Sequence, residues 1–209
     1  VSTTPDLRDG VVHLWRAGLD AAAPDDLSSS LSPDERRRAL SIVDPLRRDR
    51  WTRSRAVLRL LLGRYLRLEP REPELVSRAG GKLVLRAPVP LHFNLSHSGP
   101  LAVYAFSRSD EVGVDVEVPR GLSRERRRAW VRREAALKCS GEGILSTRAA
   151  ARVGAREPWM HEFDLGDGVL AALALEHPPR ELVCFDLVSI RDRLVVRERE
   201  FSDVLGRAD

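Results

Sequence analysis

Two carboxylates, Asp115 and Glu117, stand two residues apart in the segment VGVDVE (112–117). Valines at 112, 114, 116 and 118 alternate with them, and this period of two, in β-branched residues, reads as a strand. Side chains at i and i+2 of a strand point the same way, so both acids share one face. Like charges so placed repel. Either water screens them on a solvated face, or a cation sits between them. A third acid, Glu134, lies four residues after Trp130 and four before Lys138 in SRERRRAWVRREAALKCSGEG (123–143). That spacing puts the three side chains on one face of a helix. Taken alone, Glu134 and Lys138 read as a surface ion pair, but the tryptophan on the same stripe argues that the face touches something. FNLSHSG (93–99) adds adjacent Ser96 and His97. Neighbours on a strand point to opposite sides, so the two make no hydrolase dyad, and no G-x-S-x-G elbow is present. A polar strand end beside two acids points toward a site.

The elements that must position these residues are legible in outline. Residues 11–19 read as an opening strand. SPDERRRALSIV (32–43) carries a helix start, with Ser32 as N-cap, Pro33 at the first helical position and acids in the first turn. A second helix spans 46–68, where Leu58, Leu61, Leu62, Tyr65 and Leu66 form an apolar stripe, and it stops before Pro70 and Pro73. Gly80-Gly81 makes a turn into short strands at 82–86 and 91–95. LAVYAFS (101–107) is a strand, and SRSDE (107–111) turns it into VGVDVE as a hairpin. The arginine-rich helix begins at Ser123 and ends near Gly141, a C-terminal glycine. Strands follow at about 161–165, 169–176 and, as a last pair, 182–197. The tail EFSDVLGRAD reads as helical or frayed. The natural seam is 107–111, dividing the chain into 1–108 and 109–209.

At 209 residues, with 43% hydrophobic and 32% charged residues, the chain has the composition of a soluble globular protein. No apolar run reaches the length of a membrane span. The first ten residues lack the basic-then-apolar layout of a signal peptide, and Cys139 and Cys184 form neither a disulfide framework nor a zinc spacing. A cytoplasmic location is expected. The net charge of +4 suits an anionic partner. Nucleic acid is not that partner, because no recognition motif is present and no aromatics are interleaved with the arginines. Of 35 basic residues only Lys82 and Lys138 are lysine.

Taken in order, FNLSHSG, VGVDVE and W-x-x-R-E-A-x-x-K-x-x-G resemble the signatures of the 4′-phosphopantetheinyl transferases of the large, surfactin-synthetase-activating type. GGK (80–82), SPDERRR and DRWTRSRAVLR extend the resemblance over roughly 30–175. It implies an α+β fold of two similar α/β subdomains related by a pseudo-twofold axis, with the active site in the cleft between them. It implies a monomer that transfers 4′-phosphopantetheine from coenzyme A to a serine of an acyl or peptidyl carrier protein, releasing 3′,5′-ADP. The partner is then a small, acidic, helical domain, which suits a basic enzyme surface. Magnesium, with manganese as a substitute, would assist. By resemblance, Asp115, Glu117 and Glu134 hold the metal, Asp115 also meeting the coenzyme. Lys138 reaches the transferred phosphate, and His97, with Ser96 beside it, contacts the pyrophosphate. Glu134, directly or through a bound water, accepts the proton of the carrier serine. Arg38 and Arg50 hold the 3′-phosphate, and Gly81 and Lys82 line the adenine and phosphate end.

The chain departs from the family pattern twice. Arg133 stands where lysine is usual, and the two are not equivalent in geometry or hydration. Only twelve residues (118–129) separate Glu117 from Trp130, where relatives carry a longer stretch that shapes the carrier surface. These departures keep open a second reading, a protein of the same fold that binds coenzyme A or a carrier domain without the transfer reaction.

Overall fold

The computed structural model describes residues 6–20, 27–78, 80–141, 157–190, 193–198 and 202–203. Within them the fold is mixed α+β, with three α-helices and three sheets. The helices are α1 (Pro33–Leu40), α2 (Pro45–Leu66) and α3 (Arg124–Ser140). Their ends follow sequence chemistry. Ser32 and Glu35 close a capping box on α1. Asp44 caps α2 ahead of Pro45. The Ser123 hydroxyl accepts from the Arg126 amide at the start of α3, and Gly141 ends it in the left-handed conformation.

The largest sheet contains β1 (Val11–Gly18), β4 (His92–Ser98), β5 (Leu101–Ser107), β9 (Glu181–Ile190) and β10 (Arg193–Glu198), in the order β10-β9-β1-β5-β4. The second contains β6 (Val112–Glu117), β7 (Trp159–Asp164), β8 (Leu170–Leu175) and β11 (Ser202–Asp203), in the order β11-β7-β8-β6. A short pair, β2 (Leu75–Ser77) and β3 (Leu83–Leu85), stands apart. β9 lies parallel to β1, so strands from both sides of the 107–111 seam share the first sheet. No described helix is long and apolar enough to cross a membrane.

Three buried clusters set the layering. Trp15, Phe93, Tyr104, Phe106 and Phe185 on one face of the first sheet pack on Leu58, Leu61, Leu62 and Tyr65 of α2. The opposite face, with Val12, Leu14, Val103 and Ala105, meets Val112, Val114, Val116, Phe163, Leu173 and Leu175 of the second sheet. The far side of that sheet, with Leu170, Ala172 and Ala174, carries Val131, Ala135 and Cys139 of α3. The order is therefore helix, sheet, sheet, helix.

One expectation needs correction, and one alternative left open is decided. The segment 107–111 does not fold VGVDVE back on the preceding strand. β5 pairs with β1 and β4, whereas β6 pairs with β8, so the chain crosses between sheets. The alternating valines reported correctly which side chains face a core, but a period of two does not say which strand is the neighbour. Nor is the acid-bearing face of β6 open to water, because α3 covers it and Asp115 is buried. Most of the tail EFSDVLGRAD lies outside the described residues.

Candidate active site

The strands β4 and β6 are edges of different sheets, and they run side by side. β6 pairs with β8 on one side only, so the backbone groups on its other edge need partners from elsewhere. The polar alternation of β4 supplies them. Asn94 Oδ1 accepts from the Val114 amide at 3.0 Å, and Ser98 Oγ accepts from the Val118 amide at 3.3 Å. Ser96 Oγ donates to Asp115 Oδ1 at 2.7 Å, and Ser98 Oγ to Glu117 Oε2 at 2.9 Å. The Asn-x-Ser-x-Ser spacing thus has a structural meaning that its sequence alone did not disclose. It stitches one sheet to the other.

α3 closes over the same strand. Lys138 Nζ donates to Asp115 Oδ1 at 2.6 Å, to the Val114 carbonyl at 3.2 Å and to Ser96 Oγ at 3.0 Å. The close approach is possible because residue 113 is glycine. A Cβ there would overlap the Ala135 carbonyl oxygen and the Cys139 amide nitrogen. Glu134 is 4% exposed, and its carboxyl is held above the usual range by burial and by the negative charges of Asp115 and Glu117, against the pull of Lys138 and Arg133. The three acids therefore feel one another. Their oxygens do not converge fully, however. Among the described residues, only Asp110, Glu176 and His177 form a set of three whose ligand atoms all lie within 4.8 Å of one another. That set is at the other end of β6, and His177 Nδ1 already lies 2.7 Å from Asp110 Oδ1.

A cleft of about 360 Å³ opens beside this cluster. Glu134 and Lys138 from α3, Gly141 at its end, Asn94, Leu95 and His97 from β4, Gly81 and Lys82 from the β2–β3 turn, and Trp51 and Arg55 from α2 line it. His97 is exposed to the cleft, yet the surrounding walls, followed by the charges of Lys138 and Arg55, lower its pKa below the ordinary value of 6.5. Asp115 does not line the cleft itself but meets it through Lys138.

Arg38 and Arg50 are not brought to the cleft. Arg38 is exposed on α1, and Arg50 is held by Asp20 through paired bonds of 2.7 and 2.6 Å. Arg55 is there instead. Its side chain is 14% exposed, its Nε makes no hydrogen bond among the described residues but lies 3.6 Å from Glu35 Oε1, and its guanidinium lies 5.3 Å from the Trp51 ring centre. Nothing local in the arginine-rich α2 sequence separates Arg55 from its neighbours; its place in the cleft wall does. A second such atom is Asp115 Oδ2, which is buried with no hydrogen-bond partner among the described residues. A carboxylate oxygen in that state, with two further acids close by, suits a hard divalent cation.

No family model matches the chain. It is 34% identical over 165 residues to the 4′-phosphopantetheinyl transferase HetI of Nostoc sp., an alignment covering 64% of this chain and 70% of that protein. The chain belongs to the 4′-phosphopantetheinyl transferase family. A phosphopantetheinyl transferase of Thraustochytrium sp. is 32% identical over 120 residues, or 53% of this chain and 42% of the relative. The 4′-phosphopantetheinyl transferase AcpT of Escherichia coli is 39% identical over 74 residues, or 35% and 34%.

Proposed function

We propose that this phosphopantetheinyl transferase uses coenzyme A as donor and a serine of an acyl or peptidyl carrier protein as acceptor. The observation that carries the reading is the buried Asp115–Lys138–Ser96 cluster at the wall of the cleft. The serine oxygen forms a bond to the pantetheine-bearing phosphorus of the pyrophosphate. The bond from that phosphorus to the bridging oxygen breaks, and 3′,5′-ADP leaves. The serine proton goes to Glu134, directly or through a bound water. Lys138 places a positive charge beside the cluster and neutralises charge developing on the phosphate. His97 donates a hydrogen bond to the pyrophosphate, while the Ser96 hydroxyl is committed to Asp115 behind the cleft wall. Arg55 takes the role that sequence reasoning gave to Arg38 and Arg50, holding the 3′-phosphate, while Gly81 lines the adenine end.

Asp115, Glu117 and Glu134 would hold magnesium, the orphaned Asp115 Oδ2 being the observation that fits it. Bound there, the ion would supply Lewis-acid neutralisation of pyrophosphate charge. A helix backs the outer face of each sheet, and the chain crosses from one sheet to the other at 107–111. Both features support two similar halves around the cleft, meeting at 107–111, although β9 and β10 of 109–209 return to the first sheet, so 1–108 and 109–209 interlock there. The enzyme is expected to act as a monomer.

The test is intact mass spectrometry of an apo carrier protein incubated with this protein, coenzyme A and magnesium. A gain equal to one phosphopantetheine arm, lost on chelation, supports the reading. Coenzyme A binding with no mass gain across several carrier types would favour a relative that has lost transfer.

A further inference from the structure

Lys82 lines the cleft, yet its side chain is only 2% exposed and its ammonium points away from it into protein. Nζ donates to Glu111 Oε2 at 2.7 Å, to the Val112 carbonyl at 2.9 Å and to the Cys139 carbonyl at 3.2 Å. The acceptors come from the sheet crossover, from β6 and from the last turn of α3. An ammonium has three N–H donors, so all of them are used within the protein. We propose that Lys82 is a positioning residue, tying the C-terminal turn of α3 to the start of β6 and so fixing where Glu134 and Lys138 stand. This rests on the reading of the cleft given above.

The electrostatics favour such a strut. The last carbonyls of a helix lack intrahelical donors and carry the negative end of its dipole, so a cation on the Cys139 carbonyl is well placed. Glu111 balances that cation. Burial would raise its carboxyl, but hydrogen bonds from Lys82 and Arg78 outweigh burial and bring it below the ordinary value of 4.5. Cys139 Sγ adds a contact to the Glu111 carbonyl at 3.3 Å. Lys138 immediately precedes Cys139, so any loosening of this turn acts on it directly. Lys82 and Lys138 also satisfy carbonyls two residues apart, at Val112 and Val114, on the edge of β6 that lacks a partner strand. Three acceptors converging from different elements suit a compact ammonium, whereas a planar guanidinium cannot meet them together. That geometry accounts for a lysine here in a chain that otherwise uses arginine.

The experiment compares Lys82→Met and Glu111→Gln with the parent chain in three measurements. These are amide hydrogen exchange at residues 137–141, kcat and KM with coenzyme A, and direct binding of 3′,5′-ADP. Expected are faster exchange at 137–141 with α2 unchanged, a kcat loss of roughly tenfold or more, and 3′,5′-ADP affinity held within about twofold. Glu111→Gln should show the same pattern more weakly. Unchanged exchange at 137–141 would overturn the proposal. So would a loss of 3′,5′-ADP affinity at unchanged kcat, which would make Lys82 a ligand contact. The exchange measurement needs no turnover, so it decides the strut even if the chain proves not to transfer. If Lys82→Met does not fold, Glu111→Gln, which keeps both carbonyl contacts, decides alone.

Discussion

Gly113 of β6 and Ala135 of α3 pack backbone against backbone, with no space for a side chain between them. The glycine of the acid-bearing strand is thus the residue that lets Glu134 and Lys138 approach Asp115. Gly113→Ala should cost about 1–3 kcal/mol or more through overpacking and should move α3 off the strand. Urea unfolding together with the transfer assay checks this. A stable, fully active variant would show that α3 can sit further out without loss.

Asp115→Asn keeps the shape of the side chain and removes its charge. The expected loss of transfer is roughly 100- to 1,000-fold, the size seen when one preorganised electrostatic group is deleted. Circular dichroism should show the fold retained. Full activity in this variant would remove Asp115 from the metal set.

Lys138→Ala should lower turnover more than it raises the KM for coenzyme A, because its ammonium acts on charge that develops during transfer. The opposite pattern, a raised KM with kcat intact, would make Lys138 a binding residue only.

For Arg55→Gln the expectation reverses. If its guanidinium holds the 3′-phosphate, 3′,5′-ADP should bind more weakly by roughly tenfold or more, whereas a donor lacking the 3′-phosphate should bind the variant and the parent alike. Calorimetry with the two ligands makes the comparison. An equal loss for both would point to collapse of the cleft wall.

His13 gives the fold a pH dependence that is separable from the site. It is 1% exposed, and burial is the main cause lowering its pKa from 6.5 to about 4. Trp15 Nε1 donates to the Tyr65 hydroxyl at 2.8 Å, and His13 Nδ1 lies 2.8 Å from the same hydroxyl, inside the core. The folded state therefore wants the neutral ring, and the depressed pKa means stability present above pH 6.5 and lost as pH falls towards 4. The full loss is about 3 kcal/mol. His13→Gln should flatten urea midpoints across that window, and an unchanged slope would rule His13 out as the cause.

The parts of this molecule written locally were legible in sequence. The caps at Ser32 and Ser123, the stop at Gly141 and the inward valines of β6 depend on residues within a few positions of one another. The partners of those elements were not legible. The parallel pairing of β9 with β1 joins segments far apart in the chain, and nothing in either strand marks the other. The scarcity of lysine was visible, but that Lys82 and Lys138 both serve carbonyls of β6 emerges only when α3, β6 and the β2–β3 turn are assembled. Arg38 and Arg50 were named by resemblance, and of the three arginines only Arg55 lines the cleft.

Where β4 meets β6, the joint between the sheets is written in side chains at Asn94, Ser96 and Ser98. A backbone ladder can be altered only by shifting a whole strand in register. A joint of this kind changes one codon at a time, each rung independent of the hydrophobic layers behind it. The width of the gap between the two sheets is therefore a quantity that single substitutions can adjust, leaving the architecture of either sheet intact.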